Sequence, residues 1–275
     1  MVVFPNAKIN IGLNIVEKRP DNYHNLESIF YPIPLKDILE VVEAVDGITH
    51  MEIDGLKIDG PTDSNLVMKA YNLLKNNYNL PPVKIYLNKI IPFGAGLGGG
   101  SSDAAFMLKV LNEMFALNLS VDELKTFAAK LGADCPFFIE NKPAYVTGIG
   151  DIIEKIPFSL QGLYFVLVKP NVFVSTKNAY SMITPIASQT SLLDMVNCPI
   201  QQWNGNIKND FEKSVFHLFP EVENIKTILY NKGALYASMS GSGSSVFGLF
   251  KQPLDLSKEF DGMFLFQDTL EHSFP

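Results

Sequence analysis

Residues 92–105 read Pro-Phe-Gly-Ala-Gly-Leu-Gly-Gly-Gly-Ser-Ser-Asp-Ala-Ala and carry five glycines within the seven positions 94–100. A run this rich in glycine sustains neither strand nor helix, so the chain must break into a loop there. The serines, aspartate and alanines behind it predict a helix starting at Ser101 or Ser102. Glycines let successive N–H groups turn toward one point, and a helix N-terminus adds unpaired donors and a partial positive charge. Together they make an anion cradle that suits a phosphate. A surface turn ahead of a capped helix would have the same composition, so the rest of the chain has to separate the two.

Three phosphate-binding designs compete for this loop. A P-loop needs a lysine and Ser/Thr after its last glycine, whereas Gly100 is followed by Ser101 and Ser102. The spacing Gly94-x-Gly96-x-x-Gly99 satisfies the dinucleotide fingerprint, but Pro92 breaks the strand-to-loop junction and the helix is followed by another helix instead of a strand ending in an acidic residue. A protein-kinase glycine loop would bring V-A-I-K, H-R-D and D-F-G elements, which the chain lacks.

From Ala7 the chain alternates Ile9, Ile11, Leu13 and Ile15 with Lys8, Asn10, Gly12 and Asn14, the period of a strand. Its polar face suits either solvent or a polar cleft. A polar turn over 17–24 ends in Tyr23-His24, a pair able to stack on a flat heterocycle or simply to pack. Further strands are predicted over 28–31, 37–43 and 50–53, with Asp46-Gly47 as a hairpin turn between the last two. Ser64-Asn65 caps a helix that ends before Pro81-Pro82, and the alternating stretch 83–89 is a strand running into the glycine loop. Ser120 to Glu123 forms a capping box for another helix, stopped by Gly132. Asp134 then stands in a short connection before the apolar run from Cys135 to Phe138. It reads as a solvated turn residue or as a carboxylate in a mostly buried neighbourhood.

A domain boundary is expected between Glu154 and Pro157, giving domains 1–155 and 156–275. In the second, 163–168 is an apolar strand, Ser175 or Thr176 opens a helix containing Tyr180, and 186–206 reads as loops and short helix. Helices are expected over 211–219 and 222–231 with Pro220 between them. Residues 235–250 form strand, glycine-serine turn and strand, and the tail adds one more helix or strand.

Composition removes several function classes. A net charge of -7 without a Lys/Arg cluster argues against a nucleic-acid binder. No apolar run reaches the roughly 18 residues of a membrane span, and no basic, apolar leader opens the sequence, so a cytoplasmic protein is expected. The two cysteines, Cys135 and Cys198, form no C-x-x-C pair, and His24, His50, His217 and His272 show no metal-ligand spacing.

Residues 92–105 resemble the central motif of the GHMP small-molecule kinases, named for galactokinase, homoserine kinase, mevalonate kinase and phosphomevalonate kinase. Residues 8–13 resemble the first family motif and 239–250 the third. Residues 19–24, 98–105, 132–138 and 209–212 are similar to the branch that acts on a cytidine diphosphate-linked methylerythritol in the non-mevalonate isoprenoid pathway. Two departures are local: Asn22 replaces a usual glycine, and Asp151 stands where glutamate is common.

The resemblance implies an α+β chain with a two-domain GHMP kinase fold. Its N-terminal domain would be like domain 2 of ribosomal protein S5 and its C-terminal domain a ferredoxin-like α/β unit. It implies transfer of the ATP γ-phosphoryl group to the 2-hydroxyl of that substrate, with Lys8 and Asp134 as the catalytic pair. ATP would be held by Pro92, Phe93, Gly94, Ala95, Gly96, Leu97, Gly98, Gly99, Gly100, Ser101 and Ser102, with Asn65 near the adenine. Mg²⁺ would ride on the phosphates, with Ser102 as the one candidate protein ligand. Tyr23 and Tyr180 would sandwich the cytosine, His24 would read its edge and Asn10 would touch the substrate. A monomer or weak homodimer is expected, with neither nucleic acid nor membrane as partner. Another small-alcohol kinase of this fold, or a non-catalytic ATP-binding regulator, is the alternative.

Overall fold

The alternation from Ala7 becomes the 13-residue strand β2 (Asn6–Lys18), preceded by the short β1 (Val2–Val3) and followed by β3 (His24–Lys36). Asn22 supplies the left-handed residue of the turn between β2 and β3, at φ 67°, a conformation that a short amide side chain tolerates. The computed structural model describes residues 1–57, 60–185 and 190–271. They fall into two compact units, Met1–Ala7, Leu35–Phe93 and Gly98–Lys142 in the first, Lys8–Pro34, Gly94–Leu97 and Pro143–Pro275 in the second. The units interleave along the chain.

In the first unit, β4 (Ile38–Glu43), β5 (His50–Gly55), α1 (Leu66–Tyr78), β6 (Val83–Lys89), α2 (Gly99–Met114), α3 (Val121–Ala129) and α4 (Cys135–Glu140) follow in order. The sheet order is β1-β4-β6-β5. This corrects the expected hairpin at Asp46-Gly47. β4 and β5 do not pair; β6 lies between them, antiparallel to β4 and parallel to β5. Val83, Ile85 and Leu87 of β6 are buried, so a central place with a ladder on both sides rewards that strand most. Asp46-Gly47 survives as a local turn, closed by Gly47 N–H to Ala44 O at 3.1 Å.

Local chemistry fixes the helix ends. Asn65 caps α1 by accepting Val67 N–H at 2.9 Å. Ser120 and Glu123 complete the capping box of α3. The helix after the glycine loop starts at Gly99, two residues ahead of Ser101, with Gly98 as a left-handed N-cap and no side-chain cap. Glycine fits that left-handed cap without penalty, so no serine is needed there. Ala104, Ala105, Leu108 and Leu111 are buried, as the amphipathic pattern requires.

The second unit holds two sheets. β7 (Ala144–Thr147) and β8 (Ile152–Lys155) extend the order β2-β3-β7-β8. After β9 (Tyr164–Lys169) come α5 (Thr176–Tyr180), α6 (Leu192–Val196), α7 (Phe211–Leu218) and α8 (Pro220–Asn231). Then β10 (Tyr236–Met239), β11 (Val246–Phe250) and β12 (Phe264–Thr269) complete an antiparallel sheet in the order β10-β11-β9-β12. The first and third strands are central, the arrangement of a ferredoxin-like unit. Its second crossover, between β11 and β12, is made of turns instead of a helix among the described residues. Val166, Val168, Phe211, Val215, Val222, Ile225, Leu229, Ala237 and Val246 pack as one apolar core.

Pro220 is the first residue of α8, where its missing N–H costs nothing, and does not lie between two helices. Of the stretch 186–206, residues 186–189 lie outside the described residues, as does His272. The remainder contains α6 and a 3-10 turn at Ile200–Gln202.

Candidate functional site

Gly94, Gly96 and Gly98 take φ of 61°, 77° and 69°, so every second residue of the loop is left-handed. Ala95 and Leu97 between them are buried. Within the second unit the carbonyls of Ala95, Gly96 and Leu97 accept from Ser245 N–H at 3.3 Å, Ser240 Oγ at 2.8 Å and Lys8 N–H at 2.9 Å. With the carbonyls taken, the backbone N–H groups of six consecutive residues, Gly96 to Ser101, have no acceptor among the described residues. Such a row of donors, ending on the first turn of a sixteen-residue helix, is built to receive anionic oxygens.

At the base of the loop, in the first unit, an ionic cluster is sealed from water. Lys89 ends β6, and its ammonium donates to Asp37 and, over 2.7 Å, to Asp103 Oδ2; all three side chains are at most 3% exposed. Asp37 Oδ1 also accepts Ile90 N–H and Ile91 N–H at 2.5 and 2.8 Å. Asp103 Oδ1 is buried with no hydrogen-bond partner. Burial pushes the Asp103 carboxyl up to about 8, against the pull of Lys89. A cavity of about 280 Å³ lies within this unit, lined by Ile53, Pro61, Asn65, Leu66, Lys89, Phe93, Gly100 and Asp103. Its apolar walls with a few polar groups suit a flat heterocycle.

Asp134 is the N-cap residue of α4, so the apolar run behind it is a helix. Its carboxylate makes no capping bond to that helix and is half-buried. Next to it the Cys135 thiol is pushed up to about 11, chiefly by burial.

In the second unit, Lys8 and Asn10 stand on the polar face of β2, at 3% and 2% exposure. The solvent reading of that face therefore does not hold at these two residues, which sit in a buried hydrogen-bond network. Lys8 Nζ donates to Asn10 Oδ1 over 2.6 Å and lies 4.3 Å from the centre of the Phe30 ring. Tyr23 is 61% exposed. His24 stacks on Tyr180 with centroids 4.9 Å apart, and Tyr180 meets the edge of Phe211 at 4.7 Å. His24 thus covers one face of Tyr180, while Tyr23 presents an open ring.

Sequence reasoning missed Asp37, Lys89 and Asp103 as a cluster, and it missed the polar partners Ser28, Ser240 and Asn209. One signal was available: Asp103 directly precedes Ala104 and Ala105 on the apolar side of a helix, and a carboxylate so placed needs a cation.

The family model described as GHMP kinases N terminal domain matches residues 65–142, and the one described as GHMP kinases C terminal matches residues 199–263. The chain belongs to the GHMP kinases, ATP-using phosphotransferases that act on small molecules. Among its relatives, 4-diphosphocytidyl-2-C-methyl-D-erythritol kinase of Bacteroides fragilis is 55% identical over 276 residues, covering 98% of this chain and 100% of that one. The protein of the same name from Parabacteroides distasonis is 53% identical over 272 residues, again covering 98% and 100%.

A crystal structure of 4-(cytidine 5'-diphospho)-2C-methyl-D-erythritol kinase superposes with a TM-score of 0.82 at 28% identity, covering 97% of this chain and 98% of that one. Methanococcus jannaschii mevalonate kinase, at 14% identity and a TM-score of 0.72 over 99% and 98% of the two chains, shares the fold. No helix among the described residues is long and apolar enough to cross a membrane.

Proposed function

We propose that this chain transfers the γ-phosphoryl group of ATP to the 2-hydroxyl of 4-diphosphocytidyl-2-C-methyl-D-erythritol, releasing ADP. The observation that carries phosphoryl transfer is the row of six unaccepted N–H groups from Gly96 to Ser101. The choice of acceptor is carried by whole-chain likeness, at 55% and 53% identity, to relatives that bear that substrate's name.

In this reading the loop N–H groups hold the triphosphate and Asn65 lies beside the adenine in the cavity of the first unit. Asp134 accepts the proton of the attacking hydroxyl as its oxygen bonds to the γ-phosphorus and the bond to the β–γ bridging oxygen breaks. Lys8 orients that hydroxyl and offsets charge on the phosphoryl oxygens. A positioned base contributes about 10²–10⁴-fold. Tyr23 offers its open ring to the cytosine, His24 and Asn10 supply polar contacts, and Tyr180 backs His24.

The residues fit a magnesium ion carried by the substrate. Among the described residues the Ser102 hydroxyl is a buried oxygen without a partner. Mg²⁺ would supply charge neutralisation between the phosphates when bound, and the Ser102 hydroxyl would be its candidate protein ligand.

The test is an acceptor panel with ATP and Mg²⁺. ADP release should depend on the cytidine-linked alcohol and not on mevalonate, homoserine or galactose. Turnover on one of those instead would make the chain a different small-alcohol kinase, and ATP binding without turnover on any acceptor would make it a regulator.

A further inference from the structure

Asn10 is held at two points by two serine hydroxyls, and at each point a carbonyl dictates which way the bond runs. Ser28 Oγ lies 2.6 Å from Gly12 O and 2.8 Å from Asn10 Nδ2. A carbonyl only accepts, so the Ser28 hydrogen is committed to Gly12 and the Ser28 oxygen must accept from Asn10. The Asn10 amide is thereby turned with its nitrogen toward Ser28 and its oxygen toward Lys8, whose ammonium donates to it over 2.6 Å. An ammonium has donors only, so a flipped amide would set NH₂ against NH₃⁺ and lose the bond.

Ser240 repeats the device on the backbone. Its hydroxyl donates to Gly96 O over 2.8 Å and accepts Asn10 N–H over 3.1 Å. The loop carrying Ser240 is itself pinned, because Asn209 Nδ2 donates to the carbonyls on either side of it, Met239 O and Gly241 O, both at 2.8 Å. Ser28 and Ser240 are 0% exposed, Asn10 and Asn209 2%, so water does not compete for these bonds.

We infer that Ser28 and Ser240 are positioning residues that act through Asn10 to hold the Lys8 ammonium in one orientation. The inference rests on the reading of Lys8 as a group that acts on the transferred phosphoryl. Neither serine touches substrate; each fixes one end of Asn10. Removing the Ser28 hydroxyl frees the amide to rotate, and removing that of Ser240 frees the strand at Asn10.

The experiment has a kinetic arm and an arm independent of turnover. Ser28→Ala and Ser240→Ala should each lower kcat about tenfold while KM for ATP stays within about twofold, the scale of one lost buried hydrogen bond. Ser28→Thr, which keeps the hydroxyl, should restore kcat to within about twofold of wild type. In an Asn10→Ala background, Ser28→Ala should lower kcat by less than about twofold, because its effect runs through the missing amide.

In the second arm, acylation of Lys8 by an amine-reactive ester, followed by mass spectrometry, should speed up several-fold in Ser28→Ala and Ser240→Ala relative to the exposed lysines. Unchanged kcat in both alanine variants, a full further loss in the Asn10→Ala background, or unchanged Lys8 labelling would each overturn the inference. Wild-type protein that fails to turn over the cytidine-linked acceptor contradicts the proposed function instead, and the labelling arm still decides the role of the serines.

Discussion

Lys89 Nζ and Asp103 Oδ2 meet at 2.7 Å across the base of the glycine loop, one residue at the end of the strand that enters it and the other one turn into the helix that leaves it. Asp37 completes the cluster with two backbone N–H bonds to one of its oxygens, and burial raises the Asp103 carboxyl to about 8 against the pull of Lys89. A carboxyl raised above its unfolded value stabilises the fold fully below that value, and the contribution is lost as pH rises through about 8. Wild-type protein should therefore lose stability from pH 5 to 8 through this group. Asp103→Asn, which keeps the neutral shape, should lose less over the same range. Urea unfolding of both proteins at pH 5 and 8 reads the difference; parallel profiles would remove Asp103 as the proton carrier.

Gly96 combines φ 77° with a close approach to Ser240, so a Cβ there would drive into the Ser240 carbonyl oxygen. Gly96→Ala should weaken ATP binding more than about tenfold, since the donors next to it move with the backbone. Gly205 has φ 81° and open space where a Cβ would stand, so Gly205→Ala should cost only the left-handed strain of about 1–2 kcal/mol in stability and leave ATP affinity intact. Calorimetric titration with ATP separates them.

Tyr23 is exposed while Tyr180 is covered on one face by His24 and flanked by Phe211. Base stacking is worth about 1–3 kcal/mol, so Tyr23→Ala should raise KM for the cytidine substrate by about tenfold or more without changing KM for ATP. Tyr23→Phe should behave as wild type. An unchanged KM in Tyr23→Ala would remove the stacking role.

Asp134→Asn and Lys8→Ala should each lower kcat by about 10²–10⁴-fold, with ATP affinity preserved in direct binding measurements. Near-normal kcat in Asp134→Asn would show that another group takes the hydroxyl proton.

Elements set by local pattern are legible in the amino-acid sequence. β6 spans the residues that its alternation predicts, Asn65 caps α1, and Ser120 with Glu123 closes its capping box. What depends on distant partners is not. β6 enters between β4 and β5 because of the whole sheet's burial, which no short window contains. Alternating polar residues look the same whether they face water or, like Lys8 and Asn10, a buried hydrogen-bond network. The chemistry of the loop is visible in its glycines. The buried hydrogen bonds around it are not, because Asp37 lies 52 residues from Lys89 and Ser240 lies 230 from Asn10.

Phosphorus NMR of the reaction mixture tests the central claim most directly. With ATP, Mg²⁺ and 4-diphosphocytidyl-2-C-methyl-D-erythritol, a new phosphomonoester resonance should grow as the ATP γ signal falls, while the diphosphate resonances of the acceptor persist. Loss of the ATP γ signal to inorganic phosphate alone, or no change with this acceptor, would contradict it.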